Sequence, residues 1–89
     1  MKGSRKNIAG REIHRFRLMR NLTQESLAAS LQLNGYDLSR VTLAKIESGI
    51  RCVTDLELVL IAKVLGCTPN DLLSESFQDC LKILYPPEK

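Results

Sequence analysis

Apolar residues recur along most of the chain at intervals of three and four positions, which is the spacing of an amphipathic helix. Near the N-terminus, for example, Ala9, Ile13 and Phe16 share one face of a helix. Proline stands only at positions 69, 86 and 87, so the runs before position 69 are free of helix breakers. The pattern therefore predicts an all-α protein.

Residues that start and stop helices divide this pattern into five helices. N-cap candidates precede three of the runs: Thr23, Ser39 and Thr54. Glu57 stands three residues after Thr54, which is the spacing of a capping box, and Pro69 suits the first turn of a last short helix. Residues that favour a left-handed helix end follow three runs: Asn21, Gly49 and Gly66. The predicted helices cover 9–20, 24–33, 39–48, 55–65 and 69–73.

The fourth predicted helix, 55–65, is apolar on nearly every side. A helix of that kind is typical of the centre of a core. We therefore expect it to be the central buried helix.

Length and composition limit the class of protein. Eighty-nine residues of 10.0 kDa leave room for one small domain, and a hydrophobic content of 44% supplies one core. No run approaches the roughly 18 apolar residues of a membrane span, and no apolar segment follows the basic N-terminus as it does in a secretory signal. We expect a cytoplasmic protein without a membrane partner.

The cysteines and the single histidine argue against a disulfide framework and against a metal site. Cys52, Cys67 and Cys80 are odd in number and lack CxxC spacing. His14 has no cysteine near it in the sequence. We expect three buried or half-buried cysteines that act as small hydrophobic residues, and neither a metal ion nor a cofactor.

Charge is distributed unevenly along the chain. Residues 1–20 carry seven cations and one anion, whereas residues 54–89 carry six anions and three cations. A basic end on a small domain favours a polyanion as partner, and nucleic acid is the first candidate. The alternative is a solvated helix face that follows a flexible basic arm over 1–7.

Two segments carry a resemblance to a known family. LTQESLA at 22–28 and SRVTLAKIESG at 39–49 resemble the Cro/repressor-type (XRE-like) helix-turn-helix family, and 54–73 fits its last two helices. The resemblance implies a compact five-helix, lambda-repressor-like DNA-binding domain over 8–73. The extension 74–89 keeps apolar residues at near-helical spacing, and it either packs on its own core or contacts a second copy.

The third predicted helix has one face suited to a DNA groove. With 100° per residue, Ile46 and Glu47 fall near Leu43 on the buried side, whereas Val41 and Lys45 point outward. The outward face carries no acidic residue. By the resemblance, this helix enters the major groove, and its base-contacting residues are Arg40, Val41, Thr42 and Lys45.

The resemblance also implies contacts to the DNA backbone. Gln24 matches the family position that grips a phosphate at the start of the second helix. Thr23 beside it is chiefly a helix cap. A second phosphate candidate is Arg51, just past the third helix. Weaker candidates are Arg15, Arg11, Arg5 and Lys6.

Arg17 and Glu47 have a different predicted role. Each falls at the edge of the core face of its helix, and the family commonly pairs an arginine with a glutamate at these positions. We therefore expect a structural ion pair that ties the first helix to the third.

One segment departs from the family pattern. Seven residues, 32–38, separate Leu31 from Ser39, where the family usually has two or three. The connection is predicted to be a longer loop with Tyr36 and Leu38 against the core.

Three classes of function compete for this sequence. The first is a sequence-specific transcriptional regulator, a repressor bound to DNA of the nucleoid as a homodimer. The second is an antitoxin-like or adaptor protein of the same fold, which holds a protein partner through 74–89. The third is an enzyme, which we set aside because no catalytic constellation or phosphate-binding glycine loop is present.

Overall fold

A computed structural model describes residues 5–73, and these residues form five helices and no strand. The helices are α1 (Gly10–Met19), α2 (Gln24–Leu33), α3 (Arg40–Ser48), α4 (Asp55–Leu65) and α5 (Pro69–Leu72). They agree with the predicted helices to within one residue at each end. The expected all-α, five-helix fold is therefore confirmed over this part of the chain.

Each of the last four helices begins at a threonine or serine cap. The Thr23 hydroxyl accepts a hydrogen bond from the Ser26 amide, and the Ser39 hydroxyl accepts one from the Thr42 amide. Thr54 forms the predicted capping box with Glu57. These caps satisfy amide groups that have no partner within their own helix, so the helix starts are set locally.

Aliphatic side chains from all five helices and from the loop before α3 make one core. Helices α1 and α2 pack on α3, while α4 contacts α1, α2 and α5. The core residues are Ala9, Ile13, Leu27, Leu31, Leu38, Leu43, Ile46, Leu58, Ile61, Ala62, Leu65 and Leu72. This packing holds α3 by one face and leaves its opposite face in solvent.

The expectation that α4 is the central buried helix is wrong for one of its faces. Leu56 and Val59 are 57% and 50% exposed. The neighbouring helices cover only the side of α4 that carries Leu58, Ile61 and Leu65. A domain of this size has too few elements to surround a helix completely.

Cys52 also departs from expectation, since its side chain is exposed and not half-buried. It lies in the connection between α3 and α4, where the neighbouring Arg51 and Val53 are the half-buried residues. Cys67 is half-buried, as expected.

The long connection between α2 and α3 folds against the core. Leu38 is buried, and the half-buried Tyr36 donates a hydrogen bond from its hydroxyl group to Glu57 of α4, at 2.9 Å. The loop therefore closes over the N-terminal end of α4. The extra residues lengthen the turn without separating α2 from α3.

Residues 5–7, which the sequence assigns to a flexible basic arm, are instead bound to the end of α3. The Lys6 amide donates to the Gly49 carbonyl oxygen at 2.8 Å, and Asn7 is buried. A single asparagine among basic residues gives no periodic signal, so the sequence pattern does not reveal this contact. The extension 74–89, with the expected contacts of its apolar residues, lies outside the described residues.

Candidate nucleic-acid interface

The exposed face of α3 carries the side chains that the sequence nominates for base contacts. Arg40, Val41 and Lys45 are exposed, and Thr42 is half-buried. Val41 is 53% exposed, so its apolar side chain is available for contact with a partner. The structure therefore places all four residues on or beside one accessible face of α3, and the one acidic residue of this helix, Glu47, is buried.

Arg40 and Lys45 differ from most other cations of the domain because they are uncommitted, by which we mean that their side chains have no partner among residues 5–73. Neither side chain forms a hydrogen bond or an ion pair among residues 5–73. Other arginines donate to groups of the protein itself: Arg5, Arg15, Arg17, Arg20 and Arg51. The positive charge that is available to a partner therefore lies in part on the outward face of α3.

Arg17 and Glu47 meet in a bidentate ion pair between α1 and α3. Arg17 Nε donates to Glu47 Oε2 at 2.8 Å, and Arg17 Nη2 donates to Oε1 at 3.0 Å. Both side chains are more than nine-tenths buried. Arg17 also donates from Nη1 to the Leu22 carbonyl oxygen at 2.7 Å, which fixes the turn before α2. The pair therefore sets the position of α3 against α1 and α2.

Two further side chains contact the same carboxylate, and sequence reasoning missed this role for both. Gln24 Nε2 donates to Glu47 Oε1 at 3.1 Å, and His14 Nδ1 lies 2.9 Å from that oxygen. His14 stands three residues before Arg17, so helical spacing places both on one side of α1. That spacing is the sequence signal that was available for His14. An open depression beside α3 is lined by His14, Gln24, Ala44, Glu47 and Ser48.

Glu47 remains ionised in this setting. Burial by itself would raise the pKa of the Glu47 carboxyl group, but the hydrogen bonds from Arg17, His14 and Gln24 outweigh burial and hold the pKa below its ordinary value. A carboxylate with several donors is the form in which a buried acid is stable. The cluster around Glu47 therefore stabilises the fold. Gln24 and His14 form the side of the cluster that is nearest to solvent.

The two phosphate contacts that the sequence predicts at the start of α2, Thr23 and Gln24, both have partners within the protein. Thr23 is committed to the helix cap through the Ser26 amide. Gln24 is half-buried and shares Glu47 with Arg17. The positive end of the α2 dipole lies at these residues, which suits an anion.

The structure gives the other two nominated phosphate contacts protein partners. Arg51 donates from Nη1 and Nη2 to the two carboxylate oxygens of Glu57, at 2.9 Å each. Arg15 donates to Glu12, one turn earlier in α1, at 2.6 Å. The Arg15–Glu12 pair has the three-residue spacing of neighbours on a helix surface, whereas the sequence pattern did not indicate the Arg51–Glu57 pair.

The N-terminal segment supports the far end of α3. Asn7 Nδ2 donates to the carbonyl oxygens of Ile46 and Arg51, at 3.0 and 2.7 Å. Arg5 donates to the carbonyl oxygens of Glu47 and Ser48, at 3.0 and 3.1 Å. Since the last carbonyl groups of a helix lack partners within the helix, residues 5–7 supply them from outside.

Comparison with protein families identifies the class of protein. A family model described as "Helix-turn-helix" (HTH_3) matches residues 13–72. The match covers more than half of the chain, so the protein belongs to the Cro/repressor-type helix-turn-helix family that its sequence resembles. Comparison with curated proteins and with solved structures gave no match.

Membership of this family makes the protein a DNA-binding transcription regulator in general terms. None of the helices between residues 5 and 73 is long and apolar enough to cross a membrane. Within the same range, no three histidine, cysteine or acidic side chains gather as a metal site.

Proposed function

We propose that the protein binds a specific sequence of double-stranded DNA by inserting α3 into the major groove, and that it acts as a transcriptional repressor. In this proposal Arg40, Val41, Thr42 and Lys45 lie against the base edges. The bound domain would occupy DNA that the transcription machinery needs. Its site of action would be the nucleoid in the cytoplasm.

The observation that carries the proposal is the composition of the exposed face of α3. It presents two uncommitted cations and an exposed valine and no acid, on a helix whose other face is fixed by the core and by Glu47. The major groove has phosphates along its walls and base edges at its base. A rigid helix with cations and an exposed apolar side chain on one face is complementary to it in charge and in apolar contact.

Each residue suits a different feature of the bases. The guanidinium of Arg40 and the ammonium of Lys45 are donors for O6 and N7 of guanine, and Val41 is an apolar contact for the methyl group of thymine. Thr42 accepts a hydrogen bond from the Ser39 hydroxyl group at 3.0 Å, so its rotamer is restrained at the start of the helix.

Phosphate contacts would position α3 in the groove. We assign them first to the α2 N-terminus, at Thr23 and Gln24, where the amide groups and the helix dipole attract an anion. Arg15 and Arg51 are secondary candidates because neither lies at a helix N-terminus and each guanidinium, like the side-chain amide of Gln24, already binds a carboxylate.

We further propose that the protein binds as a homodimer. Helix-turn-helix proteins of this kind read two half-sites about 34 Å apart on one face of the duplex, and a two-fold axis relates the two copies. The expected operator is therefore a palindrome.

The test is selection of binding sites from random duplex DNA, followed by titration of the selected site by fluorescence anisotropy. We expect a palindromic consensus. The variant Lys45→Ala should bind about tenfold more weakly and lose the base preference at one position of each half-site, since one good contact discriminates by about 1–3 kcal/mol.

Gln32→Ala is the control. Gln32 is an exposed polar residue in the last turn of α2, and it belongs neither to α3 nor to α4. Its removal should leave the base preference at every position unchanged.

Absence of any enriched sequence would overturn the proposal and favour the antitoxin-like or adaptor alternative. A selected sequence that Lys45→Ala reads as well as the parent protein would remove Lys45 from the set of base contacts.

A further inference from the structure

Helix α4 presents a face to solvent that neither the fold nor the proposed DNA contacts use. Asp55, Leu56, Val59 and Lys63 are exposed and fall within an arc of about 100° around the helix axis. We call these four residues the α4 face. Two of the four side chains are large and apolar, and both are at least half exposed. Such a pair at helical spacing is typical of a helix-packing surface.

The charges of the α4 face are arranged symmetrically about Val59. Asp55 stands four residues before Val59 and Lys63 stands four residues after it. Each charge is therefore about 6 Å along the axis from the centre of the face. The other ionisable residue of this helix, Glu57, is buried on the opposite side and bound to Arg51. The face thus carries one anion at one end and one cation at the other.

This arrangement is complementary to itself in one orientation. If two copies of α4 pack antiparallel with a two-fold axis at Val59, Asp55 of each copy lies level with Lys63 of the other. A parallel pair would instead place like charges together. Self-complementarity about a two-fold axis is the requirement for an isologous dimer contact.

We propose that the α4 face is the contact between two copies of this chain, with the helices antiparallel and Val59 at the axis. Val59 packs against its symmetry mate, and Leu56 packs on the aliphatic stem of Lys63 across the interface. Two ion pairs between Asp55 and Lys63 flank this apolar centre. The proposal specifies a surface for the proposed homodimer, and it does not depend on DNA binding.

One helix pair covers less area than a standard stable interface. The dimer should therefore be weak in the absence of DNA, with a dissociation constant on the order of 10–100 µM. Sedimentation equilibrium of the full chain without DNA, from about 1 to 500 µM, measures this range. A chain that stays monomeric throughout would overturn the proposal, whatever the outcome of the DNA selection.

Two charge-reversal variants test the orientation. Asp55→Lys gives a chain whose α4 face carries two cations, and Lys63→Glu gives one that carries two anions. Each variant alone places like charges opposite each other and should dimerise at least tenfold more weakly than the parent chain. An equimolar mixture should dimerise again as a heterodimer, because both flanking pairs are then of opposite sign.

Recovery in the mixture also shows that both variants are folded, which far-UV circular dichroism of the same samples checks independently. Failure of the mixture to dimerise, with both variants folded, would overturn the antiparallel arrangement.

Val59→Glu tests the apolar centre, since it brings two carboxylates together at the axis. We expect a loss of dimer of about a hundredfold or more. If this variant and both charge reversals dimerise as the parent chain does, the dimer contact lies elsewhere, in the extension 74–89 for example, and the proposal is wrong.

Discussion

Two buried carboxylates accept hydrogen bonds from several different elements of this domain. Glu47 joins α1, α2 and α3 through Arg17, His14 and Gln24. Glu57 is 1% exposed and binds Arg51, the Tyr36 hydroxyl group and the Thr54 amide. Because each carboxylate has several donors, its burial does not leave an unpaired charge in the core.

The sequence indicated the two carboxylates to different degrees. Helical angles, together with the family resemblance, predicted Arg17 as the partner of Glu47. Glu57 was visible only as half of a capping box with Thr54. Its contacts with Arg51 and Tyr36 depend on the paths of two loops, and helical periodicity carries no information about those paths.

Glu57 gives a pH-dependent contribution to stability whose sign follows from its pKa. The pKa of the Glu57 carboxyl group is lowered mainly by the hydrogen bonds from Arg51. Together with the hydrogen bonds from Thr54 and Tyr36, these outweigh burial and bring the pKa from an ordinary 4.5 to about 2. A depressed pKa stabilises the fold fully above pH 4.5, and this contribution disappears as the pH falls from about 4.5 to about 2.

Glu57→Gln should therefore destabilise the protein by about 2–3 kcal/mol at pH 7. The amide keeps an acceptor for Thr54 but loses the ion pair with Arg51. Urea unfolding at pH 7 and at pH 3 measures the difference, which should shrink to about half at pH 3.

The matched control for this prediction is Glu25→Gln in the first turn of α2. Glu25 is exposed and has no ion pair among the described residues. This change should stay within about 0.5 kcal/mol at both pH values. A difference for Glu57→Gln that is independent of pH would contradict the assigned role of its charge.

At the scale of the elements, α3 is held at both ends by groups outside the helix. Its first turn is capped by Ser39, which the sequence predicted. Its last carbonyl groups accept hydrogen bonds from Arg5 and Asn7, which the sequence placed in a flexible arm. The difference arises because an N-cap is read from adjacent residues, whereas Asn7 reaches Ile46 across 39 positions of the chain.

Gly10 at the start of α1 makes this contact possible. A Cβ atom at position 10 would overlap the carbonyl oxygen of Ile46 and would lie 2.8 Å from Asn7 Oδ1. The Gly10 amide also donates to that Asn7 oxygen at 2.6 Å. The backbones of α1 and α3 therefore approach too closely for any larger residue.

Gly10→Ala should lower the stability by about 2 kcal/mol or more, because overpacking pushes α1 away from the end of α3. Helix propensity alone predicts the opposite sign, by up to about 1 kcal/mol. Thermal unfolding should show a midpoint about 10 °C lower for a domain of this size. Gln32→Ala, at an exposed position of α2, serves as the control and should change the midpoint little. Stabilisation by Gly10→Ala would contradict the close packing of α1 and α3.

At the scale of the whole molecule, the distribution of charge along the sequence is a poorer guide to the binding surface than the fold. Residues 1–20 hold seven of the thirteen cations. Yet Arg5, Arg15, Arg17 and Arg20 all bind groups of the protein itself. Since Arg40 and Lys45 are uncommitted, the proposed DNA surface depends mainly on α3 and the α2 N-terminus.

The salt dependence of DNA binding distinguishes a DNA surface on α3 and the α2 N-terminus from a surface made by the cations of residues 1–20. With the two uncommitted cations of α3 displacing counterions at each half-site, the logarithm of the binding constant should fall with the logarithm of salt concentration with a slope of about −2. Seven phosphates contacted by the cations of residues 1–20 would give a slope of about −6. Anisotropy titrations of a single half-site between 50 and 200 mM salt measure the slope.

Arg15→Ala sharpens the same measurement. Because a phosphate would have to displace Glu12 from the exposed Arg15 guanidinium, the slope should change by clearly less than one unit in this variant. A slope that becomes less steep by about one unit would instead show that Arg15 contacts a phosphate.

Local sequence patterns were sufficient to predict the helices, their caps, most of the core face of each helix, and the outward set of side chains on α3. All of these depend on residues within a few positions of one another, where helical geometry fixes which side chains share a face. Tertiary structure alone decided which cations remain available, that α4 keeps one apolar face in solvent, and that residues 5–7 close the end of α3. Those features depend on contacts between distant parts of the chain, whose partners are fixed only when the helices pack.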